Sequence, residues 1–452
     1  MRNNTVDSLK VFDIKKVTRS KGFSTFSAAL LAIFLGLVFG FIIMAIASPA
    51  NSFSGFQAVL LGGILRFGDV FYFATPILMT GLAVGFAFKM GLFNIGASGQ
   101  YTMGMFFALY VGFMWDIPDS IHWLVCVMAG MVGGLLWGFI PGIFKALLNV
   151  NEVITSIMFN YIGMYLVDML IQGNATMYIS SKTRTEYLPA SAQLPTLGIT
   201  NSSVNVSIFI AIAIAVILYV VLNRTIFGYE LKATGYNKHA SIYAGMNGKR
   251  NIIFTMMIAG AMAGLGGAFS ILAPSTIAGS SMTYEPISVI AANGFNGIAV
   301  ALLGNSNPLG IIFSALFISY IQRGGTLASL YGYKPEIIDV VIAVIIYFSA
   351  FAMIMNATVG KLIKMRYRKK HTKETVERIS NAQKNVNDIS NTGKPTNVND
   401  ISNTGKPTNV NDISDAGKPS NVNDISDVEK TISVNDISHR DMPIKDDKTE
   451  EA

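Results

Sequence analysis

Apolar runs of bilayer length recur along this chain, and a run that stays in hydrocarbon has very few folds open to it. Crossing a bilayer as a helix takes about 20 mainly apolar residues. Runs of this kind fall at 23–47, 70–88, 93–114, 122–148, 153–172, 205–223, 251–272, 286–304, 308–323 and 336–357. Lipid cannot satisfy backbone polar groups, so each run is read as a helix that bonds its own N–H and C=O groups. The predicted fold class is therefore all-α: a polytopic membrane protein with about ten transmembrane helices. A composition that is 51% hydrophobic and only 13% charged over 452 residues agrees.

The single cysteine, Cys126, lies inside a span, which excludes a disulfide framework and reads as a small packing residue. Six Lys/Arg between Arg2 and Lys21 precede the first apolar run, and AIA at 45–47 imitates a signal-peptidase site. That run is longer than the roughly 7–15 apolar residues of a cleavable signal, so it is read as a retained first helix behind a cytoplasmic segment, 1–22. Residues 51–69 are too short and broken to span and are expected to form a helix on the outer surface.

Basic residues set the orientation. The N-terminus, Lys89, Lys145, the 224–250 loop and the cluster Lys361, Lys364, Arg366, Arg368, Lys369 and Lys370 all fall on one side of a ten-span chain. By the positive-inside rule that side is cytoplasmic, which places both termini inside a cell membrane. The opposite side is poor in Lys/Arg: WDIPDSIH (115–122) has none, and the long 173–204 loop has Lys182 and Arg184.

The membrane-spanning body is read as 23–360, with a basic juxtamembrane segment and a tail over 361–452. In the tail NVNDIS recurs at 385–390, 397–402, 409–414 and 421–426, with SVNDIS at 433–438, a period of twelve. From 371 onward fifteen acidic side chains face ten basic ones, so the whole-chain +7 leaves the first 370 residues strongly basic. Asn, Asp, Ser, Gly and Pro dominate the repeats, and so little apolar surface does not offset chain entropy. The tail is expected to be disordered. A calcium-binding β-helix repeat would need a dense Gly/Asp pattern that is not there.

Several kinds of chemistry are missing. There is no G-x-x-x-x-G-K-[ST] phosphate loop, no nucleophile elbow and no H-E-x-x-H or Cys/His metal spacing. The four histidines, His122, His239, His371 and His439, are scattered. No catalytic or metal-binding residue is predicted, and the chain is not expected to be an enzyme.

What it does contain is MGLFNIGASGQYTMG at 90–104, four glycines plus Asn94, Ser98 and Gln100 inside an apolar region. Non-helical backbone at membrane depth is tolerated only where protein buries it or where it lines a wet cavity. In transporters, discontinuous helices aim half-helix ends and amides at a substrate. The competing reading is close helix packing through small residues, with polar groups bonding across the seam. On this stretch alone the two readings stand level. Deeper polar residues that would meet it in space are Asn160, Asn293 and Asn296. Glu152 and Glu285 fall near span ends, and Asp168, near the outer end of its span, reads as interfacial. Amides together with Phe93, Phe159, Tyr161 and Phe295 suit a neutral, flat, polar ligand.

The run ATPILMTGLAVGFAFKMGLFNIGASGQYTMG (74–104) resembles the signature region of permease subunits of ABC importers of the branched-chain amino acid/ribose/nucleoside type. NEVITSIMFNYI (151–162), GYELKATGYNKHASIYAGMN (228–247) and GFNGIAVALLGNSNPLG (294–310) agree and follow in the family's order. The likeness runs from about 25 to 357 and looks most like the nucleoside branch. The sequence departs from the pattern at Ser98, where an acidic residue is expected, and at Asn296, where Asp is usual. The tail has no counterpart.

The resemblance implies a subunit that forms a translocation pathway by alternating access. Implied partners are a separate ATP-binding subunit, a second permease subunit, an extracytoplasmic substrate-binding lipoprotein, a nucleoside substrate and membrane lipids, with no nucleic acid. The chain itself would hold no cofactor, because ATP belongs to the separate subunit. Asn94, Ser98, Gln100, Asn160, Asn293 and Asn296 are the pathway candidates. The 224–250 loop is the expected ATPase coupling point. There Tyr236, Ala240, Tyr243 and Ala244 fall near one helical face, and Gly235 and Asn237 read as the break and N-cap. Ribose and amino acids remain alternative substrates. An ion-coupled secondary transporter is the alternative from another class, although it usually shows buried carboxylates along its path. A structural anchor would leave the intramembrane Asn/Gln/Gly pattern unexplained.

Overall fold

The computed structural model describes residues 21–198, 203–275 and 281–348, with side chains from Ile33 onward. The repeat tail and the N-terminal basic segment lie outside the described residues. In chain order the first helices are α1 (Lys21–Ala47), α2 (Ser52–Leu65), α3 (Phe67–Lys89), α4 (Ala97–Met114), α5 (Asp119–Leu148) and α6 (Glu152–Gln172). A short antiparallel hairpin follows, β1 (Tyr178–Ile179) with β2 (Arg184–Thr185), in which Tyr178 faces Thr185. Then come α7 (Ser207–Arg224), α8 (Ile226–Tyr236), α9 (Lys238–Tyr243), α10 (Gly248–Ile271), α11 (Ala292–Leu303) and α12 (Pro308–Ala328). A last helix, α13, occupies 335–348.

Helix α3 and helix α10 are buried on almost every side, which is why both are apolar all round. Helices α5 and α7 keep an outward face of Leu124, Met128, Val132 and Leu136, and of Phe209, Val216, Ile217 and Val220. An apolar face turned outward is what lipid as solvent demands. The seam between α5 and α10 is built from glycine. Gly130, Gly134 and Gly138 repeat every four residues and lie against Gly260 and Gly264. A Cβ at Gly138 would stand 2.9 Å from the Gly260 Cα, so the two backbones touch directly. Cys126 is buried beside this seam as a packing residue.

Six helices are long and apolar enough to cross a membrane among the described residues: α3, α5, α6, α7, α10 and α12, the last counted through Tyr331. The protein is an all-α polytopic membrane protein. Three expectations change in detail. The 286–304 run contains only the 12-residue α11, because 281–291 runs without helical bonding. The 93–114 run becomes helical only at Ala97. Residues 52–65 do form a helix, but it is no free surface helix. It packs along the second half of α12, where a Cβ at Gly62 would stand 2.7 Å from the Gly324 Cα. The tenth run is helical from 335, and its end from 349 lies outside the described residues.

Candidate translocation site

Among the described residues, three breaks shape the site. The first is 90–96 between α3 and α4, where Gly91 takes φ 77°. The second is the extended 281–291 before α11. The third is the turn 304–307, with Asn305 at φ 54° and Ser306 at φ 49°.

The first two breaks bring two helix N-termini together. Ser98 Oγ donates to the Ala291 carbonyl at 2.7 Å. Gly294 lies so close to Ser98 that a Cβ on it would stand 2.7 Å from the Ser98 nitrogen. Neither N-cap residue, Gly96 or Ala291, offers a capping side chain. The first turn of α4 is instead satisfied from α6: Gly99 N–H donates to Asn160 Oδ1 at 2.8 Å, and Asn160 Nδ2 donates to the Ile95 carbonyl at 3.0 Å. One buried amide therefore holds both sides of the break.

Asn293 ties the first turn of α11 to α4 and α3. Its Nδ2 donates to the Tyr101 hydroxyl at 3.0 Å, and its carbonyl accepts from Thr80 Oγ1 at 2.9 Å. Asn94 and Gln100 are fully buried and pair reciprocally, Asn94 Nδ2 to Gln100 Oε1 at 2.8 Å and Gln100 Nε2 to Asn94 Oδ1 at 3.2 Å. Five of the six residues singled out in the sequence thus surround the junction of α4 and α11. Asn296 is half-buried on α11 and has no hydrogen bond among the described residues. The two helix N-termini carry partial positive charge, and among the described residues no carboxylate hydrogen-bonds to either. A serine at 98 suits this geometry, because its proton goes to the Ala291 carbonyl, which an ionised carboxylate cannot do.

The 224–250 loop contains two helices. Asn237 caps α9, its side chain accepting from the Ala240 N–H at 3.0 Å. Gly235 is not the break: α8 continues through Tyr236. Its role is close approach, since a Cβ there would stand 2.6 Å from the Met90 carbonyl carbon. The 224–250 loop therefore rests directly on the first break. Tyr236 and Tyr243 are 92% and 93% exposed, and Ala240 and Ala244 are exposed with them. A cavity of about 430 Å³ lies beside the contact, between Lys89, Gly91, Lys232, Gly235 and Asn307.

Two sites were missed in the sequence. Asp168 is buried rather than interfacial, and accepts from the Tyr284 hydroxyl at 2.7 Å and the Ser288 N–H at 2.8 Å. Buried Asp69 lies 3.5 Å from Arg66 and 3.9 Å from Arg323, whose guanidinium stacks on Phe73 at 3.6 Å. The available signal was a charge inside an apolar run, at Asp168, or at the edge of one, at Asp69, which rarely survives without a partner. Glu152, by contrast, sits at the α6 N-terminus as its position suggested and pairs with Lys145 at 2.8 Å.

The family model described as branched-chain amino acid transport system / permease component matches residues 66–350. The chain belongs to this family of membrane permease components. Among its relatives, it is 38% identical to the guanosine ABC transporter permease protein NupP of Bacillus subtilis (strain 168), over 74% of this chain and 96% of that one. It is 37% identical to the nucleoside ABC transporter permease protein NupB of Lactococcus lactis subsp. cremoris (strain MG1363), over 74% and 92%. A second Bacillus subtilis protein, the guanosine ABC transporter permease protein NupQ, is 27% identical over 57% of this chain and 81% of that one. No solved structure matches the chain.

Proposed function

We propose that this chain is a permease subunit of an ATP-driven nucleoside importer. The observation that carries the reading is the pair of relatives named for guanosine and nucleoside transport, each covered almost end to end. The likeness to NupQ in the same Bacillus is weaker, which favours a second permease of that other type as this chain's partner. In this reading the substrate passes the junction of α4 and α11 by Ser98, Asn293 and Asn296, while Asn94, Gln100 and Asn160 keep the breaks in shape. Uncharged donors and acceptors suit a neutral ligand at modest desolvation cost.

ATP binds a separate subunit that docks on Tyr236, Ala240, Tyr243 and Ala244 at the cytoplasmic face. Movement of α8 and α9 then reaches the pathway by one contact, Gly235 on Met90, and through the 90–96 segment to Ser98 on Gly294. A substrate-binding lipoprotein delivers the nucleoside on the opposite face. The test is uptake of labelled guanosine, uridine and ribose in host cells with and without this gene. Loss of nucleoside uptake on deletion, restored by the gene, is the expected result. Loss of ribose uptake alone would assign the chain to the sugar branch.

A further inference from the structure

The outward face of α6 carries Ile154, Met158, Ile162 and Met169, apolar like the outward faces of α5 and α7. Among them, however, stand two phenols, Tyr161 and Tyr165, 48% and 58% exposed. Tyr161 falls at the centre of this 21-residue helix, with Tyr165 one turn above it. Neither hydroxyl has a hydrogen-bond partner among the described residues. Tyrosine favours the two membrane interfaces, where its hydroxyl reaches water, and a phenol at mid-helix facing hydrocarbon has nothing to bond.

The stripe these residues belong to shows where they point. Tyr161, Tyr165, Asp168 and Gln172 follow i, i+4, i+7, i+11 and share one side of α6. The upper two are tied to the chain that leads into α11: Asp168 to Tyr284 and Ser288, and Gln172 Nε2 to the Pro286 carbonyl at 3.2 Å. The lower two therefore lie beneath the 284–288 segment, on the flank where α11 descends. Asn160, next to Tyr161, touches Gly99, and Ser98 touches Gly294 of α11. The N-terminus of α4 thus meets α6 through Asn160 and α11 through Gly294. On α11 the neighbours of Gly294 include Phe295, 39% exposed, and half-buried Asn296.

We propose that Tyr161 and Tyr165 form an aromatic wall of the substrate pathway and recognise the flat base and the sugar hydroxyls of a nucleoside, with Phe295 and Asn296 opposite. This rests on the nucleoside reading above and adds to it the residues that sense the substrate. Ring faces stack on a heteroaromatic base irrespective of its sequence of donors, and the phenol hydroxyls find partners only in a wet path or on the substrate.

The experiment uses host cells in which the native gene is replaced by variants. Tyr161→Leu and Tyr165→Leu are expected to raise the KM for guanosine uptake by about tenfold or more at unchanged membrane level, while Tyr161→Phe and Tyr165→Phe, which keep the ring, lose less. In parallel, Tyr161→Cys and Tyr165→Cys in a Cys126→Ser chain are treated with a membrane-impermeant, water-soluble thiol reagent. Modification that guanosine slows is expected. Unchanged KM in both Leu variants overturns the proposal, as do thiols that stay unmodified, which would turn this face to lipid or to the second permease. If the Leu variants fail to reach the membrane, the thiol measurement decides alone. If the wild type takes up no nucleoside but both thiols react, the nucleoside reading fails and the wall with it as a nucleoside site, although the two positions still line a hydrated path.

Discussion

Asp168 Oδ2 accepts a 2.8 Å hydrogen bond from the backbone N–H of Ser288, a residue held at φ 56°. The bond joins the C-terminal part of α6 to the non-helical segment that leads into α11 and so to Ser98. A non-glycine residue at positive φ is disfavoured on its own, so something must hold it there. The buried carboxylate does so, with the Tyr284 hydroxyl as its second donor. Asp168→Leu leaves both donors without an acceptor, at about 1–3 kcal/mol each. Thermal unfolding of the purified complex should drop clearly, and uptake should fall about tenfold or more. Asp168→Asn, which still accepts one bond, should fall between wild type and Leu. Equal behaviour of Asn and Leu would dismiss the tether.

Asn94 and Gln100 satisfy each other, so their substitutions should be coupled. Removing either amide leaves the other buried and unmatched at about 1–3 kcal/mol. Replacing both by Leu removes the mismatch. The double variant should therefore be less destabilised than the sum of the singles by about 1 kcal/mol, read from a double-mutant cycle of unfolding. Strict additivity would mean that the amides act independently, each on something else.

Gly235 touches the Met90 backbone, and no side chain fits between them. Gly235→Val should force α8 away from the 90–96 segment. Membrane insertion should survive, because the membrane helices are unaltered, while substrate-stimulated ATP hydrolysis by the assembled complex falls to basal level. Asn237→Ala removes the α9 cap at about 1 kcal/mol and should produce a milder version of the same defect. Full stimulation in both variants would move the coupling contact elsewhere.

Asp69 and Arg323 join the start of α3 to α12. Deleting one partner strands a charge in a largely buried place, at about 3–5 kcal/mol. Asp69→Leu should therefore lower membrane level or thermal stability sharply, and Asp69→Leu with Arg323→Leu should recover part of the loss. No recovery would show that the guanidinium stacked on Phe73 matters for more than the ion pair.

Orientation is open to direct labelling. In a Cys126→Ser chain, Lys182→Cys on the exposed loop after β1 should react with an impermeant thiol reagent from outside. Lys238→Cys at the start of α9 should react only after permeabilisation. The opposite pattern would invert the chain in the membrane.

Much of the architecture was legible because it depends on local quantities. Runs of apolar residues fix where helices must form, since hydrocarbon leaves the backbone no other way to satisfy itself. The glycines and amides of 90–104 left a break and a close-packed seam level as readings. The structure contains both, a break at 90–96 and Gly104 against the Gly264 backbone. Asn237 was readable as a cap from its own side chain. The tertiary structure alone decided partnership. Nothing near Asn160 in the sequence shows that it caps a helix 61 residues earlier, through Gly99. Asp168 looked interfacial until the fold brought Tyr284 and Ser288, 116 and 120 residues away, onto its carboxylate. Gly235 read as a helix break because glycine destabilises a helix, whereas its missing side chain in fact makes room for Met90. Periodicity reports which face of an element is apolar. Which polar group meets which depends on how those faces stack, and only the packed chain specifies that.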